Sequence, residues 1–240
     1  VLSVNPPDRA RLGTVGPPIP ETRIRIAGDG EILCRGPQVM KGYFRNEEAT
    51  REAFTEDGWL RTGDIGSLDE DGYLSITDRK KELLVTAGGK NIAPAPVERA
   101  MERSRFIEHA VLVGDRRNFT IALLEPAFEA LGEWAGAGTE EGERAALLER
   151  DDVRSLFERQ VEDRLEDFDR HERPGWLVLV PDTFSVDTGE LTPTLKVKRR
   201  VVNERYGDAI DEAYEAAERR RDGGGEGAPV SSAASARGRA

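Results

Sequence analysis

The stretch "EDGWLRTGDIGSLDEDGYLSITD", residues 56–78, decides the fold of the first part of the chain. Two Asp-Gly pairs, Asp57-Gly58 and Asp71-Gly72, are typical of tight turns between neighbouring strands. Asp64 follows the flexible Thr62-Gly63 step between two segments that we expect to be strands. Its carboxylate can either cap a turn of its own backbone or meet a ligand, and for the isolated triplet the turn is favoured.

The residues upstream of this stretch favour more antiparallel strands. In "TRIRIAG", residues 22–28, isoleucines alternate with arginines, as in a half-buried strand. Residues 30–36, "GEILCRG", follow a Gly-Asp-Gly turn and predict the second strand of a hairpin. Asn46 is a favourable N-cap for a short helix in "NEEATREAF". We therefore predict an antiparallel β unit over residues 1–79.

The pattern changes after about residue 80, where helices and strands alternate. We expect a central sheet of about three strands flanked by helices over residues 80–221, which makes the predicted fold class α+β. The predicted elements are a helix that begins with prolines near residue 93, two strands within 109–126, a helix over 152–168, a strand over 175–180 and a last helix over 197–214.

The C-terminal stretch, residues 222–240, reads "DGGGEGAPVSSAASARGRA". It consists of small and polar residues without an apolar period, and such composition predicts a disordered tail. The other end of the chain opens on "VLSVNPPDRARLG", which has no signal-peptide layout and resembles a cut through a longer polypeptide.

The composition excludes several classes of protein. The 240 residues carry a formal net charge of −11, which disfavours nucleic-acid binding through phosphate neutralisation. Cys34 is the only cysteine, so the chain has no internal disulfide, as expected in a reducing cytoplasm. No apolar run approaches the roughly 20 residues of a membrane span. We therefore expect a cytoplasmic protein without a transmembrane segment, and leave peripheral membrane association open.

Two further motifs offer groups for a phosphorylated ligand. "DRKKELLVTAGGKNIAP", residues 78–94, contains the planar fork of Arg79 and a Gly88-Gly89 step that lets a backbone approach a ligand. In "TGELTPTLKVKRRVV", residues 188–202, Lys196 follows an extended Thr-Pro-Thr loop. Taken alone, these motifs favour a hairpin turn and a basic helix start that faces water.

Together, and in this order, the motifs resemble the C-terminal part of the adenylate-forming enzymes. This superfamily includes acyl-CoA synthetases, luciferases and the adenylation domains of peptide synthetases. Residues 30–66 resemble the end of the large adenylation domain, and residues 72–98 resemble the hinge and the loop after it. "KELLVTAGGKNIAP" and "LTPTLKVKRR" are most similar to the long-chain fatty acid–CoA ligase branch.

The resemblance implies a role for each motif residue. Asp64 would hold the ribose hydroxyls of ATP and of the acyl-adenylate, and Arg79 would support the same nucleotide. Lys196 would stabilise the α-phosphate during adenylation and is the one catalytic candidate. Gly88 and Gly89 would line the pantetheine tunnel of CoA, with Lys81 at the hinge of a mobile C-terminal domain. Trp59 would pack, and Leu195 stands where many relatives have glycine.

The reaction that the resemblance implies has two steps. A fatty carboxylate attacks the α-phosphate of ATP to give acyl-AMP, and the thiol of CoA then displaces AMP. ATP, CoA and Mg²⁺ are the expected cofactors, but the phosphate loop and the glutamate that binds Mg²⁺ would belong to a missing N-terminal portion. We therefore expect these residues alone to be inactive and to carry no metal ligand.

Two other interpretations remain open at this stage. One is a relative that activates an aromatic or short-chain acid, and the other is a non-catalytic remnant that binds AMP weakly or docks a partner. The two histidines receive no catalytic role: His109 begins an apolar strand, and we expect His171 to end a charged helix. The expected partners are small-molecule substrates and the missing portion of the same enzyme.

Overall fold

The computed structural model describes residues 1–221 and 229–236. The chain divides into two compact units, Val1–Leu83 and Leu84–Ala240. This division lies a few residues beyond the expected end of the β unit at residue 79. Among the helices of the described ranges, none has both the length and the apolar character that a membrane span requires.

The first unit is built on a four-stranded antiparallel sheet, which confirms the predicted β unit. The strands lie in chain order, with β1 (Arg23–Ile26), β2 (Glu31–Arg35), β3 (Leu60–Leu68) and β4 (Leu74–Arg79). The isoleucines of β1 are half-buried and its arginines are exposed, as the alternation predicts. The turn between β3 and β4 spans the second Asp-Gly pair.

A short helix, α1 (Glu47–Ala53), separates β2 from β3. Its N-terminus is capped as expected, because Asn46 Oδ1 accepts a hydrogen bond from the Ala49 N–H at 2.9 Å. Two acidic residues in the first turn, Glu47 and Glu48, complement the helix dipole.

The second unit contains a small hairpin and a larger four-stranded sheet. The hairpin pairs β5 (Leu84–Val85) with β6 (Asn91–Ile92). In the larger sheet β7 (Ile107–Val113) is antiparallel to β8 (Ile121–Pro126), and β9 (Trp176–Leu179) is parallel to β8. The order β10-β9-β8-β7 is completed by β10 (Val230–Ser232), which is parallel to β9.

Helices cover both faces of this larger sheet. The helices of the unit are α2 (Pro94–Met101), α3 (Phe128–Ala135), α4 (Glu141–Leu148), α5 (Asp151–Arg164), α6 (Arg199–Arg205) and α7 (Gly207–Arg221). Successive residues of β8 alternate between two apolar clusters, with Leu124 packed among residues of α2 and α5, and Leu123 among residues of α6 and α7. The core of the unit therefore lies on both sides of the sheet.

Three expectations for the second unit need correction. The sheet has four strands among the described residues rather than about three. The last helix, expected over 197–214, is two helices that break at Tyr206, a buried residue whose hydroxyl donates to Asp182 Oδ2 at 2.9 Å. The prediction of a disordered tail is wrong for Val230–Ser232. These residues form a strand because their backbone pairs with β9, although the segment has no apolar period of its own. Residues 222–228 and 237–240 of the expected tail lie outside the described residues.

Candidate functional site

Asp64 and Arg79 form an ion pair across two neighbouring strands. They are directly opposite each other in the register of β3 and β4, and Arg79 Nε lies 2.7 Å from Asp64 Oδ1. The side chain of Asp64 is 23% exposed and that of Arg79 is 66% exposed. Both groups can therefore reach a ligand from solvent while holding each other in place.

The backbone before Asp64 turns without help from the Asp64 carboxylate. Gly63 adopts φ +72°, a left-handed conformation that favours glycine. The hydroxyl of Thr62 accepts the Asp64 N–H at 3.1 Å and donates to the Ile32 carbonyl at 2.7 Å. One interpretation of the sequence was that the Asp64 carboxylate caps this turn. In the structure the Thr62 hydroxyl makes that local contact, and the Asp64 side chain pairs with Arg79.

Glu31, which was not among the residues predicted from the sequence, stabilises the same turn by a hydrogen bond. This residue of β2 is 2% exposed, and its Oε1 accepts the Gly63 N–H at 3.2 Å. Lys80 Nζ lies 2.8 Å from its Oε2, and Arg61 Nη1 lies 3.4 Å from the same oxygen. The signal in the sequence is a lone carboxylate that begins the apolar run "EILC", because a charge in a buried strand needs partners.

Lys196 lies in a tight hairpin that precedes α6. The Thr192 N–H donates to the Lys196 carbonyl at 2.8 Å, and the Lys196 N–H donates to Thr192 Oγ1 at 3.0 Å. Leu191 and Val197 form an antiparallel bridge below the turn, and Leu195 adopts φ +58°. The hairpin is therefore internally hydrogen-bonded, and the side chain of Lys196 is exposed.

A buried carboxylate fixes the base of this hairpin. Glu190 is fully buried, and its carbonyl accepts the Lys198 N–H at 2.6 Å. Its carboxylate forms an ion pair with Arg205 of α6 and accepts from Thr188 Oγ1 at 2.5 Å. The chain on the N-terminal side of Lys196 is thus tied to α6.

A second ion pair fixes the C-terminal side of the hairpin. Arg199, the first residue of α6, contacts both carboxylate oxygens of Glu98 on α2, at 2.5 and 2.9 Å. Arg199 Nη1 also donates to the Leu112 carbonyl at 2.7 Å, and the Leu112 N–H donates to Glu98 Oε1 at 2.6 Å. The Lys196 hairpin is therefore anchored to the sheet and to α2.

The hairpin between β5 and β6 contains the two glycines. The Thr86 N–H donates to the Lys90 carbonyl at 2.9 Å, and the Gly89 N–H donates to the Thr86 carbonyl at 2.8 Å. Both Gly88 and Gly89 are exposed, and Gly89 adopts φ +75°. The local structure is thus the hairpin turn that the motif alone favours, with its backbone accessible to a ligand.

The second unit closely matches a known family model. The model of the AMP-binding enzyme C-terminal domain matches residues 81–218, more than half of the chain. The chain belongs to this family.

Relatives and solved structures support the same membership. The chain is 45% identical over 209 residues to the long-chain-fatty-acid–CoA ligase FadD15 of Mycobacterium tuberculosis, a match that covers 85% of this chain and 34% of that protein. The chain thus spans about a third of the length of the curated relatives that it matches. It therefore resembles the C-terminal part of fatty acid–CoA ligases in the adenylate-forming superfamily.

Two solved structures share the fold. The ATP-bound MatB of Rhodopseudomonas palustris is 27% identical, with a TM-score of 0.60 over 87% of this chain and 39% of that one. The adenylation domain of a carboxylic acid reductase from Segniliparus rugosus, solved with AMP and a carboxylic acid, has a TM-score of 0.65 at 23% identity over 84% of this chain and 32% of that one. The α+β fold class is therefore confirmed.

Lys81, at the start of the family match, lies in the 3-10 turn Lys80–Glu82 and is exposed. Two guanidinium groups lie over the ring of Trp59 in the first unit: the Cζ atoms of Arg25 and Arg35 are 4.7 and 4.9 Å from its ring centroid.

The two histidines differ in their surroundings. His109 lies within β7, where its Nδ1 is 2.8 Å from Oε2 of the buried Glu125. The hydrogen bond to Glu125 raises the pKa of His109 above its usual value of 6.5. His171 lies in a turn beyond the end of α5 at Arg164, so its expected position at a helix C-terminus is wrong.

The described residues contain no candidate metal centre. Over residues 1–221 and 229–236, the His, Cys, Asp and Glu side chains form no group of three that could hold an ion. The acidic run near residue 166 is likewise not a cluster of converging ligands.

Proposed function

We propose that the chain is the C-terminal part of an ATP-dependent long-chain fatty acid–CoA ligase. The enzyme activates a carboxylate as acyl-AMP and transfers the acyl group to CoA. The 45% identity to a long-chain-fatty-acid–CoA ligase and the match to the AMP-binding C-terminal domain family support this assignment. The observation that carries it is the accessible Asp64–Arg79 pair.

Asp64 binds the ribose diol of the nucleotide in this proposal. A carboxylate can accept hydrogen bonds from two neighbouring hydroxyls, and the side chain of Asp64 is partly exposed. Because Arg79 Nε holds Oδ1 at 2.7 Å, the carboxylate is oriented before the nucleotide arrives. The guanidinium of Arg79, which is 66% exposed, has other N–H groups for the ribose or phosphate oxygens.

Lys196 stabilises the negative charge that develops on the α-phosphate. Its ammonium is a compact, mobile charge on an exposed side chain, whereas its backbone is fixed by hydrogen bonds within the hairpin. The ion pairs of Glu190 with Arg205 and of Glu98 with Arg199 support this fixed position. Lys196 acts in the adenylation step only.

The second step uses a different part of the C-terminal domain. The exposed backbone of Gly88 and Gly89 lies against the pantetheine arm of CoA during thioester formation, and the domain turns about Lys81 between the two steps. The domain limits that we propose are 1–79 for the end of the large domain and 80–221 for the mobile domain. The enzyme acts in the cytoplasm.

The N-terminal portion of the enzyme supplies the rest of the site. It carries the ATP-phosphate loop, the Mg²⁺ ligand and most of the acyl pocket, so the 240 residues alone are inactive. We expect no ATP–pyrophosphate exchange from the purified chain, and exchange above background would contradict this expectation.

The decisive experiment separates the two steps in the complete ligase. Lys196→Ala should abolish fatty-acid-dependent ATP–pyrophosphate exchange but retain thioester formation from pre-made acyl-adenylate and CoA. The matched control is Arg200→Ala, because Arg200 is an exposed cation four residues away on α6. Exchange at the wild-type rate in Lys196→Ala would overturn the proposal, and so would equal losses in both steps.

Asp64 is tested by its effect on the nucleotide. Asp64→Asn keeps the shape of the side chain but weakens the hydrogen bonds to the diol and to Arg79. We expect a rise of about tenfold or more in the KM for ATP, since a charged hydrogen bond contributes roughly 1.5–3 kcal/mol. 2′-Deoxy-ATP lacks one of the two hydroxyls, so Asp64→Asn should raise its KM less than it raises the KM for ATP. An equal rise for both nucleotides would contradict the role.

A further inference from the structure

The last described segment of the chain, Pro229–Ala236, lies along the free edge of β9 and beyond the family match, which ends at residue 218. Its backbone continues the sheet: the Leu177 N–H donates to the Pro229 carbonyl and the Ala233 N–H donates to the Leu179 carbonyl, at 2.9 and 2.8 Å. Val230, Ser231 and Ser232 face Leu177, Val178 and Leu179 in a parallel register. The segment is therefore an extended peptide bound by strand addition.

Side chains of the segment alternate between the two faces of the sheet. Val230 packs against the apolar cluster that includes α5, and Ala233, which is 5% exposed, belongs to the cluster that includes α7. Trp176 Nε1 donates to Ser231 Oγ at 3.0 Å. Because Ala233 is buried in a packed cluster, a larger side chain at position 233 would have to displace its neighbours.

A buried carboxylate receives the end of the segment. Asp182, which is 2% exposed, accepts from Ser235 Oγ at 2.5 Å and from the Ala236 N–H at 2.8 Å. The hydroxyl of Tyr206, at the break between α6 and α7, donates to the same carboxylate at 2.9 Å. Because a buried charge is costly unless donors surround it, these contacts make Asp182 a specific receptor for an extended backbone.

The composition of the segment favours reversible docking. Apart from Val230, residues 230–236 are serine and alanine, whose side chains bury little apolar area. The preceding residues, 222–229, read "DGGGEGAP" and include no large apolar side chain. Most of the affinity must therefore come from the backbone pairing and from polar contacts, chiefly those of Asp182 and of Glu149, which accepts from Ser232 Oγ.

We propose that the edge of β9 together with Asp182 is a peptide-binding site, occupied in cis by residues 230–236 of this chain. The site recognises an extended peptide in parallel register, with an aliphatic residue first, serine second, a small residue fourth and serine sixth. Docking also covers a sheet edge that would otherwise be open to pairing with other chains. The proposal does not depend on the ligase activity.

The first test measures amide hydrogen exchange in the full chain. Ala233→Pro removes the N–H that donates to Leu179 and should release the segment, so the Leu177 amide should exchange at least about tenfold faster. Ala234→Pro, at the exposed neighbouring position, is the matched control and should leave that amide protected. Equal exchange at Leu177 in both variants would overturn the proposal.

The second test restores the interaction in trans. A synthetic peptide of residues 229–236, "PVSSAASA", should bind the Ala233→Pro chain, return the Leu177 amide to slow exchange and change the fluorescence of Trp176. A peptide with leucine in place of Ala233 should fail to bind. Absence of binding by the natural peptide at millimolar concentration, in a variant with wild-type circular dichroism, would overturn the proposal.

The third test addresses the carboxylate. Asp182→Asn in the Ala233→Pro background should weaken peptide binding by about tenfold or more, because the amide cannot accept both donors as a carboxylate does. Asp187→Asn changes an exposed aspartate of the same loop and should leave the affinity unchanged. Equal affinities in the Asp182 and Asp187 variants would refute the assigned receptor.

Discussion

Arg199 and Glu98 join the start of α6 to α2 through two N–H···O contacts of 2.5 and 2.9 Å, from Nη1 to Oε1 and from Nη2 to Oε2. The side chains are only 23% and 12% exposed, so solvent screens this pair weakly. A guanidinium matches a carboxylate in this fork geometry, whereas an ammonium does not. The Arg199–Glu98 ion pair therefore anchors the Lys196 hairpin to α2.

Removal of one partner of the Arg199–Glu98 ion pair should destabilise the folded state. Arg199→Ala leaves the half-buried charge of Glu98 without its main cation, and we expect the free energy of unfolding to fall by about 3 kcal/mol. Arg199→Lys should recover only part of this loss. Urea denaturation followed by circular dichroism measures both, and Arg200→Ala, an exposed residue beside it, should cause no measurable change. If Arg199→Ala lowered the free energy of unfolding as little as Arg200→Ala does, the ion pair would not have the structural role assigned to it.

The stability of the second unit should depend on pH through His109. Its pKa in the folded state is raised above 6.5 by the hydrogen bond to Glu125, and nearby Glu102 and Glu108 act in the same direction, against the opposing effect of burial. A group with a raised folded-state pKa contributes stability below its unfolded pKa and loses that contribution as pH rises through the folded pKa. We therefore expect the free energy of unfolding to decrease from pH 6 upward.

The variant His109→Gln should remove this slope. Urea titrations at a series of pH values from 6 to 8.5 measure it. His171→Gln, at the exposed second histidine, should keep the wild-type slope. A slope that survives in His109→Gln would show that another group is responsible.

Local sequence signals predicted the first unit well. The Ile-Arg alternation of β1, the N-cap at Asn46 and the two Asp-Gly turns all act within a few residues, so the antiparallel sheet could be predicted from them. The pairing of Asp64 with Arg79 could not, because it depends on the register between β3 and β4.

Long-range partners contribute to two of the misses in the second unit. The helix expected over 197–214 runs through Tyr206, although Gly207 after it is a local signal for a helix end, and the buried Tyr206 hydroxyl also bonds to Asp182 far earlier in the chain. Likewise, Val230–Ser232 has the composition of a tail and becomes a strand only because β9 offers an edge. Glu98 and Glu190 likewise pair with arginines of α6 that only the fold brings beside them.

The conformation of Leu195 predicts an unusual response to substitution. Its φ of +58° costs a leucine about 1–2 kcal/mol, and its side chain, 67% exposed, gains little from packing. Leu195→Gly should therefore raise the free energy of unfolding slightly, by about 0.5 kcal/mol after the entropy of glycine is subtracted. Leu195→Val should lower it, because a branched side chain fits this conformation worse.

Leu195→Ala is the matched control for this prediction. It keeps the strained conformation and removes only exposed apolar atoms, so its stability should stay near that of the wild type. Thermal denaturation under identical conditions ranks the variants, and the expected order is glycine, then leucine and alanine together, then valine. A destabilised glycine variant would mean that side-chain contacts of Leu195 outweigh its backbone strain.

Gly63, the residue before Asp64, provides a corresponding test in the first unit. Its φ of +72° lies in the left-handed region, and a Cβ built there meets no atom within 4 Å, so alanine would add backbone strain without a clash. We expect Gly63→Ala to destabilise the chain by about 1 kcal/mol and to displace the neighbouring Asp64. Gly28→Ala is the control, since its Cβ also meets open space but its backbone does not require glycine. Both variants are compared by urea denaturation, and equal stabilities would show that the turn before Asp64 tolerates a side chain without strain.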